Sequence, residues 1–363
     1  MKRRSFLKHS MAAMGATVLG LSDAMAKPGT GFRLPEESGP HERTFMQWPV
    51  NRKVHRDAAY LVTLQDTLAR VANTIAEFEP VVMLMDARYE KSARKKLGQH
   101  VEVWDIPTDD LWCRDSGPLF VVNDKSELAL AHIAFNGWGN KQVHPNDGRI
   151  SELVAKRLGL PLIEANLAGE AGGVESDGDG KLMAHESCWV NSNRNRENRE
   201  TIESRLLAAL GAQKMIWAPG VRGADITDYH IDALARFVRP GVVIVQLPEK
   251  PDKRDPLSVS AFETYGILKP ARDSRDRPLE LIKLPEPYDI RVTAADFVAS
   301  YVNYYVCNGA VIAAEFGDRK ADAEAKSTLQ KLYPGREVVT LNVDAIGETG
   351  GGIHCATQQQ PRV

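Results

Sequence analysis

GRISELVAKRLGLPLIE, residues 148–164, places a helix-like segment, a glycine and a short apolar run in direct succession. Glycine supplies the left-handed residue that commonly ends a helix, and the apolar run has the length and composition of a strand. The same order recurs at four other places, where segments near 87–97, 197–210, 258–265 and 320–332 precede Gly98, Gly211, Gly266 and Gly335. The five glycines are 61, 52, 55 and 69 residues apart. The chain therefore contains five loosely spaced helix–strand units.

The strand-like runs that follow the glycines lie at 101–107, 160–164, 214–219, 279–285 and 337–341. The fourth run is the weakest, because a polar stretch at 270–278 precedes it. Alternating helices and strands at a recurring distance predict an α/β protein made of repeated units around a common axis. Five units favour a closed, propeller-like ring in a single domain. A doubly wound parallel sheet is the alternative, since that fold is commoner.

One more amphipathic helix precedes the first unit. Asp57 is its candidate N-cap, and its apolar positions recur at spacings of three and four, which predicts a buried face. These positions are Leu61, Leu64, Leu68, Val71, Ile75 and Phe78. The apolar run at 80–85 then predicts a buried strand.

Composition limits the classes of partner. The 363 residues carry a formal charge of -2 and 43% hydrophobic residues, which suits a large buried core and lacks the basic excess that nucleic acid requires. Four cysteines are too few for a disulfide framework. No CxxC, HExxH or Cys/His cluster is present, so the sequence predicts no metal. A small-molecule substrate is the expected partner.

The first 26 residues have the three parts of an export signal. A positive segment at 2–8 contains Arg3 and Arg4, an apolar segment covers 11–21, and small residues at 24–26 offer a cleavage site. Paired arginines before Ser-Phe-Leu-Lys resemble the twin-arginine class of signal. We therefore expect a periplasmic or secreted protein whose mature part, 27–363, has no membrane segment. The alternative is an N-terminal anchor, although the apolar segment is shorter than the roughly 20 residues that span a bilayer.

Polar and glycine-rich clusters follow four of the five strands, where a packed scaffold presents its functional loops. They lie at 112–118, 170–178, 228–232 and 350–355. The fourth strand leads only to the segment 301–305, which carries no evident chemistry.

His230 and Asp232 would share one face if their segment were extended. This tripeptide alone favours a structural histidine and a turn-capping aspartate, and it becomes informative only with the other clusters. Cys355 follows three glycines and His354, away from any apolar run, and a glycine turn can expose a thiol. We therefore predict Cys355 as a nucleophile. Cys113, Cys188 and Cys307 have the surroundings of inert buried cysteines.

The clusters hold more acidic side chains than a neutral or anionic ligand would tolerate, because converging like charges repel. The acids are Asp115, Glu170, Glu175, Asp177 and Asp232. A guanidinium group fits them, since its planar fork of N–H donors pairs with carboxylates and leaves the central carbon open. Glu175 and Asp177 are the two expected instead to bind loop amides or arginines.

The motifs at 41–49, 112–118, 135–139, 191–195, 230–232 and 350–361 resemble those of the agmatine deiminases. That family is grouped with the bacterial peptidylarginine deiminases in the guanidino-group-modifying superfamily. The resemblance implies a five-bladed α/β propeller of the pentein type, with pseudo-fivefold symmetry, a central active site and no cofactor. It also allows a homodimer.

Carried over residue by residue, the resemblance implies that Cys355 is the nucleophile and His230 the general acid and base. Asp115 and Asp232 would hold the guanidinium, and Trp112, Glu170 and Gly352 would line the substrate pocket. The expected reaction converts agmatine to N-carbamoylputrescine and ammonia through an S-alkylthiouronium intermediate.

Two departures and two alternatives accompany this expectation. Cys113 and Ala171 differ from the usual family pattern, and export is unusual for an agmatine deiminase, whereas the peptidylarginine branch includes secreted enzymes. Peptidyl arginine is therefore an alternative substrate. A non-catalytic periplasmic protein that binds polyamines or guanidines is an alternative of another class.

Overall fold

Five small sheets form the frame of the protein. The computed structural model describes residues 31–294 and 297–363, so the predicted signal segment, 1–26, lies outside the described residues. Each sheet contains one repeated unit, in which two antiparallel strands are followed by a helix and by a third strand parallel to the second. Five such units confirm the predicted five-bladed α/β propeller.

The described strands are numbered in chain order. They are β1 (Phe32–Arg33), β2 (His41–Gln47), β3 (Val81–Met85), β4 (Val101–Asp105), β5 (Leu119–Asn123), β6 (Leu128–Ala134), β7 (Leu162–Ala168), β8 (Val174–Ser176), β9 (Lys181–His185), β10 (Lys214–Ala218), β11 (Ala235–Arg239), β12 (Val242–Leu247), β13 (Glu280–Pro285), β14 (Tyr305–Cys307), β15 (Ala310–Glu315), β16 (Glu337–Asn342) and β17 (Gln358–Pro361).

Five longer helices cross between the second and third strands of the units, and short helical turns occupy the loops. The helices are α1 (Ala58–Ile75), α2 (Glu90–Ala93), α3 (Cys113–Ser116), α4 (Gly137–Asn140), α5 (Ile150–Leu158), α6 (Glu186–Trp189), α7 (Arg199–Leu210), α8 (Pro256–Leu268), α9 (Arg319–Leu332) and α10 (Asp344–Gly347), with 3-10 turns at Ala87–Tyr89, Asp147–Arg149, Ala171–Gly173 and Ile231–Ala233.

The blades follow one another in chain order, with two strands as exceptions, β1 and β17. Blade 1 has the order β17-β2-β3-β4, blade 2 β1-β5-β6-β7, blade 3 β8-β9-β10, blade 4 β11-β12-β13 and blade 5 β14-β15-β16. The first strand of blade 1 is thus β17, which comes last in the chain and pairs antiparallel with β2. First strands of neighbouring blades contact each other, β17 with β5 and β8 with β11. The first strands therefore surround a common centre.

The sequence-based division into units needs one correction. The helix–strand pair of blade 1 is α1 with β3, which the sequence suggested as an addition before the first unit. The segment 87–97 contains only short turns up to Ala93, Gly98 has no left-handed conformation, and β4 is an additional strand at the edge of the blade. Local periodicity cannot separate an added helix–strand pair from the repeated one, because both have the same pattern.

Glycine ends two of the crossing helices as predicted and fails to end a third. Gly159 and Gly211 follow α5 and α7 with φ values of +67° and +64°. Gly266 was predicted to end its helix, but α8 continues through it to Leu268. Burial on one face holds the helix together there and outweighs the weak helix propensity of a single glycine.

Helix α1 and strand β3 supply much of the centre of blade 1. The Asp57 carboxylate accepts from the backbone N–H groups of Ala59 and Tyr60, which confirms it as the N-cap. The predicted apolar face is buried from Leu61 to Ile75, while Phe78 is half-buried against the same core. All five residues of β3 are buried, as predicted.

Candidate active site

Five loops, one from each blade, meet at the centre of the ring. Each loop lies directly before the first strand of the repeated unit, which is β17, β5, β8, β11 or β14, whereas β1 and β4 are additional edge strands. The pseudo-fivefold repeat therefore brings the loops to equivalent positions. In order from blade 2 to blade 5 and then blade 1, the loops contribute Asp115, Glu170, His230 with Asp232, Asn303, and Cys355. The predicted site residues from four different parts of the sequence therefore converge.

Cys355 is half-buried, whereas Cys113, Cys188 and Cys307 are buried in the core, as predicted. The Cys355 sulfur lies 3.1 Å from the side-chain nitrogen of Asn303 and 3.6 Å from Asp232 Oδ2. Burial raises the pKa of the Cys355 thiol well above its usual value, and the charges of Asp232 and Asp115 raise it further. The resting group is therefore a thiol that donates toward Asp232.

Asp115, His230 and Asp232 surround the small space above Gly172. A Cβ atom at Gly172 would lie 2.7 Å from Asp115 Oδ1, 2.8 Å from His230 Nδ1 and 3.2 Å from Asp232 Oδ2. Asp115 Oδ1, His230 Nδ1 and Asp232 Oδ1 are buried, and none has a hydrogen-bond partner among the described residues. Buried polar atoms without partners are costly in a folded protein. Their presence around one space indicates a binding site for a polar ligand.

The charge states of Asp115 and His230 depend on each other. Burial raises the pKa of Asp115 to about 6, although the nearby His230 opposes this shift. Burial lowers the pKa of His230, but the negative charges of Asp115 and Glu170 outweigh it and raise the value to about 9. At neutral pH His230 is therefore an imidazolium and Asp115 a carboxylate, with His230 Nδ1 3.6 Å from Asp115 Oδ1.

Asp232 belongs to a buried chain of ion pairs that continues away from Cys355. His354 Nδ1 lies 2.8 Å from Asp232 Oδ2, and His354 Nε2 lies 2.8 Å from Glu37 Oε2. Glu37 Oε2 also accepts from Arg236 at 2.8 Å and from Arg114 at 3.3 Å. Burial would raise the pKa of Asp232, but the His354 hydrogen bond and charge hold it below the usual value. Asp232 is therefore kept as a carboxylate.

Glu170 orients the catalytic candidate His230 through its other nitrogen. Glu170 Oε2 lies 3.1 Å from His230 Nε2, and both Glu170 oxygens accept from Arg194 Nε at 2.8 and 2.9 Å. Arg194 in turn donates to Asp228 Oδ2 at 2.7 Å. Because Nε2 is occupied by Glu170, Nδ1 is the histidine nitrogen that faces the open space.

The three glycines before Cys355 have different reasons to be glycine. Only Gly350 has a positive φ, +97°. A Cβ on Gly351 would lie 2.4 Å from the Trp112 ring, and a Cβ on Gly352 would lie 2.5 Å from Asn303 Oδ1. Gly351 and Gly352 thus permit close approach of neighbouring side chains of this protein. The substrate-binding roles of Trp112 and Gly352 stay predictions.

Two sequence-based expectations about local structure are settled here. The His230 backbone is extended, but Asp232 lies in the 3-10 turn Ile231–Ala233, so the tripeptide does not form a strand. The turn, rather than strand alternation, brings the His230 and Asp232 side chains to the same site. Glu175 accepts from Arg236 Nε and the Phe237 amide, and Asp177 from the Asp179 and Lys181 amides. This confirms the structural interpretation of both acids.

Several participants were missed at the level of sequence. Asn303 lies in the segment considered uninformative, and Glu37 precedes every motif that was noted. Trp138 donates to Asp115 Oδ2 at 2.9 Å. Trp138 and Arg194 belong to the family motifs at 135–139 and 191–195, but the sequence predicted no role for either side chain. Asn303 alone had a usable signal, because it stands in the loop before a first strand, as the other central residues do.

Within residues 31–294 and 297–363, no group of three or more His, Cys, Asp or Glu side chains is arranged to hold a metal ion. The same residues contain no helix that is long and apolar enough to cross a membrane.

The model of the Porphyromonas-type peptidyl-arginine deiminase family matches residues 33–361. An agmatine deiminase of Medicago truncatula is 36% identical over 92% of this chain and 97% of the relative, and one of Stutzerimonas stutzeri is 34% identical over 91% and 96%. The solved agmatine deiminase of Enterococcus faecalis superposes with a TM-score of 0.84 at 26% identity, covering 92% of this chain and 96% of that one. The chain therefore belongs to the Porphyromonas-type peptidyl-arginine deiminase family.

Proposed function

We propose that this protein is a guanidine deiminase that converts agmatine to N-carbamoylputrescine and ammonia. The proposal rests on a thiol, a histidine and two carboxylates that converge on one small space. Around this space the histidine and both carboxylates each have a buried atom without a hydrogen-bond partner among the described residues. The agmatine deiminases among the relatives support the substrate. Ammonia release from agmatine, free arginine and a blocked arginyl peptide tests it. The proposal requires the highest kcat/KM for agmatine.

The two carboxylates suit a guanidinium group in charge and shape. Asp115 and Asp232 each present a buried oxygen without a hydrogen-bond partner among the described residues, and a guanidinium can donate to two carboxylates while its central carbon stays open. Binding of the cation also removes the repulsion between these acids and a thiolate. Substrate binding therefore favours loss of the Cys355 proton to solvent.

Attack by the thiolate begins a two-stage reaction. The sulfur electron pair of Cys355 forms a bond to the guanidinium carbon and gives a neutral tetrahedral adduct. Protonated His230 gives its Nδ1 proton to one amino group, which leaves as ammonia, and the cationic S-alkylthiouronium remains. Neutral His230 then takes one proton from water as the oxygen adds to the carbon. The carbon–sulfur bond breaks with its electron pair returning to sulfur, and the remaining hydroxyl proton passes to solvent to give the urea product.

Glu170 has a positioning role in this scheme. Its hydrogen bond to His230 Nε2 keeps Nδ1 directed at the reacting carbon, and its charge helps to hold the proton on His230. Trp112 packs on Gly351 and, with Gly352, forms the proposed wall of the pocket beside Cys355. No step needs a cofactor.

Burial favours a slender substrate over arginine within a protein chain. Asp115, Glu170, His230 and Asp232 are all buried, and Cys355 is only half-exposed. An unbranched alkylguanidine can bring its head group to this depth without having to bury a peptide backbone, whose polar groups would need partners.

A non-catalytic binding protein would use the same acidic pocket without needing a thiol. Treatment with a haloacetamidine and identification of the labelled peptide by mass spectrometry separates the two. Covalent labelling of Cys355 that agmatine prevents is expected. Tight reversible agmatine binding without labelling would contradict the enzyme and favour the binder.

The value of kcat/KM for agmatine is expected to rise with pH in two limbs and to level off above about 9, because Asp115 and the Cys355 thiol must each lose a proton while His230 keeps one. Asp115 must be ionised to hold the cation, so activity rises as pH increases through about 6. From about 6 to about 9 activity keeps rising as more Cys355 thiolate forms, and above about 9 the loss of the His230 proton, which is needed to release ammonia, offsets that gain. Ammonia release measured across this range tests both limbs, and a profile that is flat through both values would contradict the assignment.

Gly172→Ala is expected to lower kcat/KM for agmatine about 100-fold, since the new methyl group occupies the space between the reacting groups. Its Cβ would lie under 3.0 Å from Asp115 Oδ1 and His230 Nδ1. Gly266→Ala is the control, because a Cβ there meets nothing within 4 Å inside helix α8. Equal activity of the two variants would refute a binding space above Gly172.

We also propose that the protein acts after export through the signal at 1–26. Arg3→Lys together with Arg4→Lys should leave unprocessed protein in the cytoplasm, as judged by fractionation of cells that make the full chain. Export of that variant would contradict a twin-arginine signal. The homodimer stays a prediction, which light scattering of the mature protein tests.

A further inference from the structure

The Asn303 side chain contacts both the sulfur and the backbone amide of Cys355, the proposed nucleophile. Asn303 Nδ2 lies 3.1 Å from Cys355 Sγ, and Asn303 Oδ1 accepts from the Cys355 amide at 3.3 Å. The Asn303 backbone carbonyl accepts from the amide of His354 at 3.2 Å. One buried residue thus contacts both the reactive atom and the turn that carries it.

Backbone partners decide which end of the Asn303 amide faces the sulfur. The Cys355 amide can only donate, so it must face Asn303 Oδ1. The Asp232 carbonyl can only accept, and Asn303 Nδ2 donates to it at 3.4 Å. An inverted amide would place N–H against N–H and oxygen against oxygen. The second hydrogen of Nδ2 therefore points at Cys355 Sγ.

The pseudo-symmetry of the ring places Asn303 with the other candidate site residues. Asp115, Glu170, His230 with Asp232, and Cys355 occupy the loops before the first strands of four blades. Asn303 occupies the same loop in blade 5, two residues before β14. All five blades therefore contribute a polar group to the centre.

The charges around the sulfur create a need for a donor. Burial, Asp232 and Asp115 all disfavour a thiolate at Cys355, as described above. Asp232 Oδ2 accepts from the thiol but cannot stabilise the thiolate, since both are negative. Two neutral donors lower the pKa of this thiol, the backbone N–H of Gly352 and the side-chain N–H of Asn303. Of these, the Asn303 N–H belongs to a side chain and can be removed by substitution.

We propose that Asn303 is a catalytic residue whose amide N–H stabilises the Cys355 thiolate before attack and again when it is released. The guanidinium cation enters, the thiol proton passes to solvent, and the sulfur electron pair accepts the Asn303 N–H. That pair then forms the carbon–sulfur bond and returns to sulfur when water displaces the enzyme. Asn303 itself neither gains nor loses a proton. The role in turnover rests on the proposed deiminase function.

Gly352 is part of the same arrangement. A Cβ at Gly352 would lie 2.5 Å from Asn303 Oδ1 and 3.0 Å from Asn303 Cβ. Glycine at this position therefore lets the amide reach the thiol. Gly352→Ala should displace an unchanged Asn303 and reproduce the effect of losing its donor.

Alkylation of Cys355 by iodoacetamide as a function of pH measures the thiolate directly and needs no substrate. The other three cysteines are buried, and Cys355→Ser supplies the background rate. Asn303→Asp keeps the shape but replaces the donor with a carboxylate, and Asn303→Ala removes the side chain. Both should raise the pH midpoint of alkylation by about one unit or more and slow the reaction at neutral pH about 10-fold.

Turnover provides the second measurement. Loss of one donor to a reacting atom typically costs about 100-fold in kcat, and we expect this loss for both Asn303 variants with little change in KM for agmatine. Asn308→Ala is the matched control. Asn308 follows β14 in blade 5, and its side chain likewise bridges a backbone amide and a backbone carbonyl, but both belong to His41 in blade 1. Its alkylation midpoint should equal that of the unmodified protein.

Each outcome decides the proposal. An unchanged midpoint in Asn303→Asp and Gly352→Ala overturns it, even if kcat falls, because Asn303 would then only support the fold. A raised midpoint in a protein that does not turn over agmatine upholds the thiolate contact while refuting the proposed function. If Asn303→Ala does not fold, Gly352→Ala gives the answer with Asn303 intact.

Discussion

Cys355→Ser is expected to lower kcat for agmatine by at least about 10⁴-fold while agmatine still binds. A serine hydroxyl is far less acidic than a thiol, and the charges that already disfavour a thiolate at this position would disfavour an alkoxide more strongly. Asp115 and Asp232 remain in place to hold the guanidinium. Ammonia release measures turnover, and isothermal titration calorimetry measures binding.

The matched control for this variant is Cys307→Ser. Cys307 is also a free cysteine, but it is buried in strand β14, outside the five central loops. It should keep kcat near that of the unmodified protein, with some loss of stability because a hydroxyl is buried in an apolar core. Ammonia release by Cys355→Ser at the full rate would remove the covalent mechanism altogether.

The repeated architecture could be predicted because each unit carries its own local signals. Gly159 and Gly211 end helices through their left-handed conformation, and Asp57 caps α1 through its carboxylate. Such signals act over a few residues, so they survive in a sequence without any knowledge of tertiary contacts. The alternative doubly wound sheet was excluded only by the five separate sheets.

Closure of the ring had no local signal. Strand β17 completes blade 1 by pairing with β2, and more than 300 residues separate the two strands in the chain. That pairing is what fixes Cys355, three residues before β17, opposite the loops of the other blades. The sequence indicated a reactive thiol beside a glycine turn, but only the topology shows what faces it.

Contacts between distant buried groups were the least predictable feature. His354 joins Asp232 to Glu37, and Glu37 joins His354 to two arginines, all through side chains from separate blades and from the segment before β2. Charge counting could suggest that the acids need partners. It could not assign them, because pairing depends on where each loop lies in three dimensions.

His230→Gln is expected to lower kcat for agmatine about 10⁴-fold, since the variant loses the proton donor for ammonia and the base for water. Glutamine can still donate a hydrogen bond to the Glu170 carboxylate, whose Oε2 lies 3.1 Å from His230 Nε2, but it cannot exchange a proton at neutral pH. The two lost roles can be separated. The S-methylisothiourea analogue of agmatine releases methanethiolate, which departs without the proton that ammonia needs.

With this analogue, His230→Gln should release one equivalent of methanethiol per site and then stop. The first stage proceeds because the Cys355 thiolate displaces a good leaving group, whereas the thiouronium persists because no base activates water. Mass spectrometry should find the adduct on Cys355. His132→Gln is the control, because His132 pairs with Glu164 on the surface and should leave turnover unchanged. Continuous turnover of the analogue by His230→Gln would show that another group activates water, and would limit His230 to the role of acid.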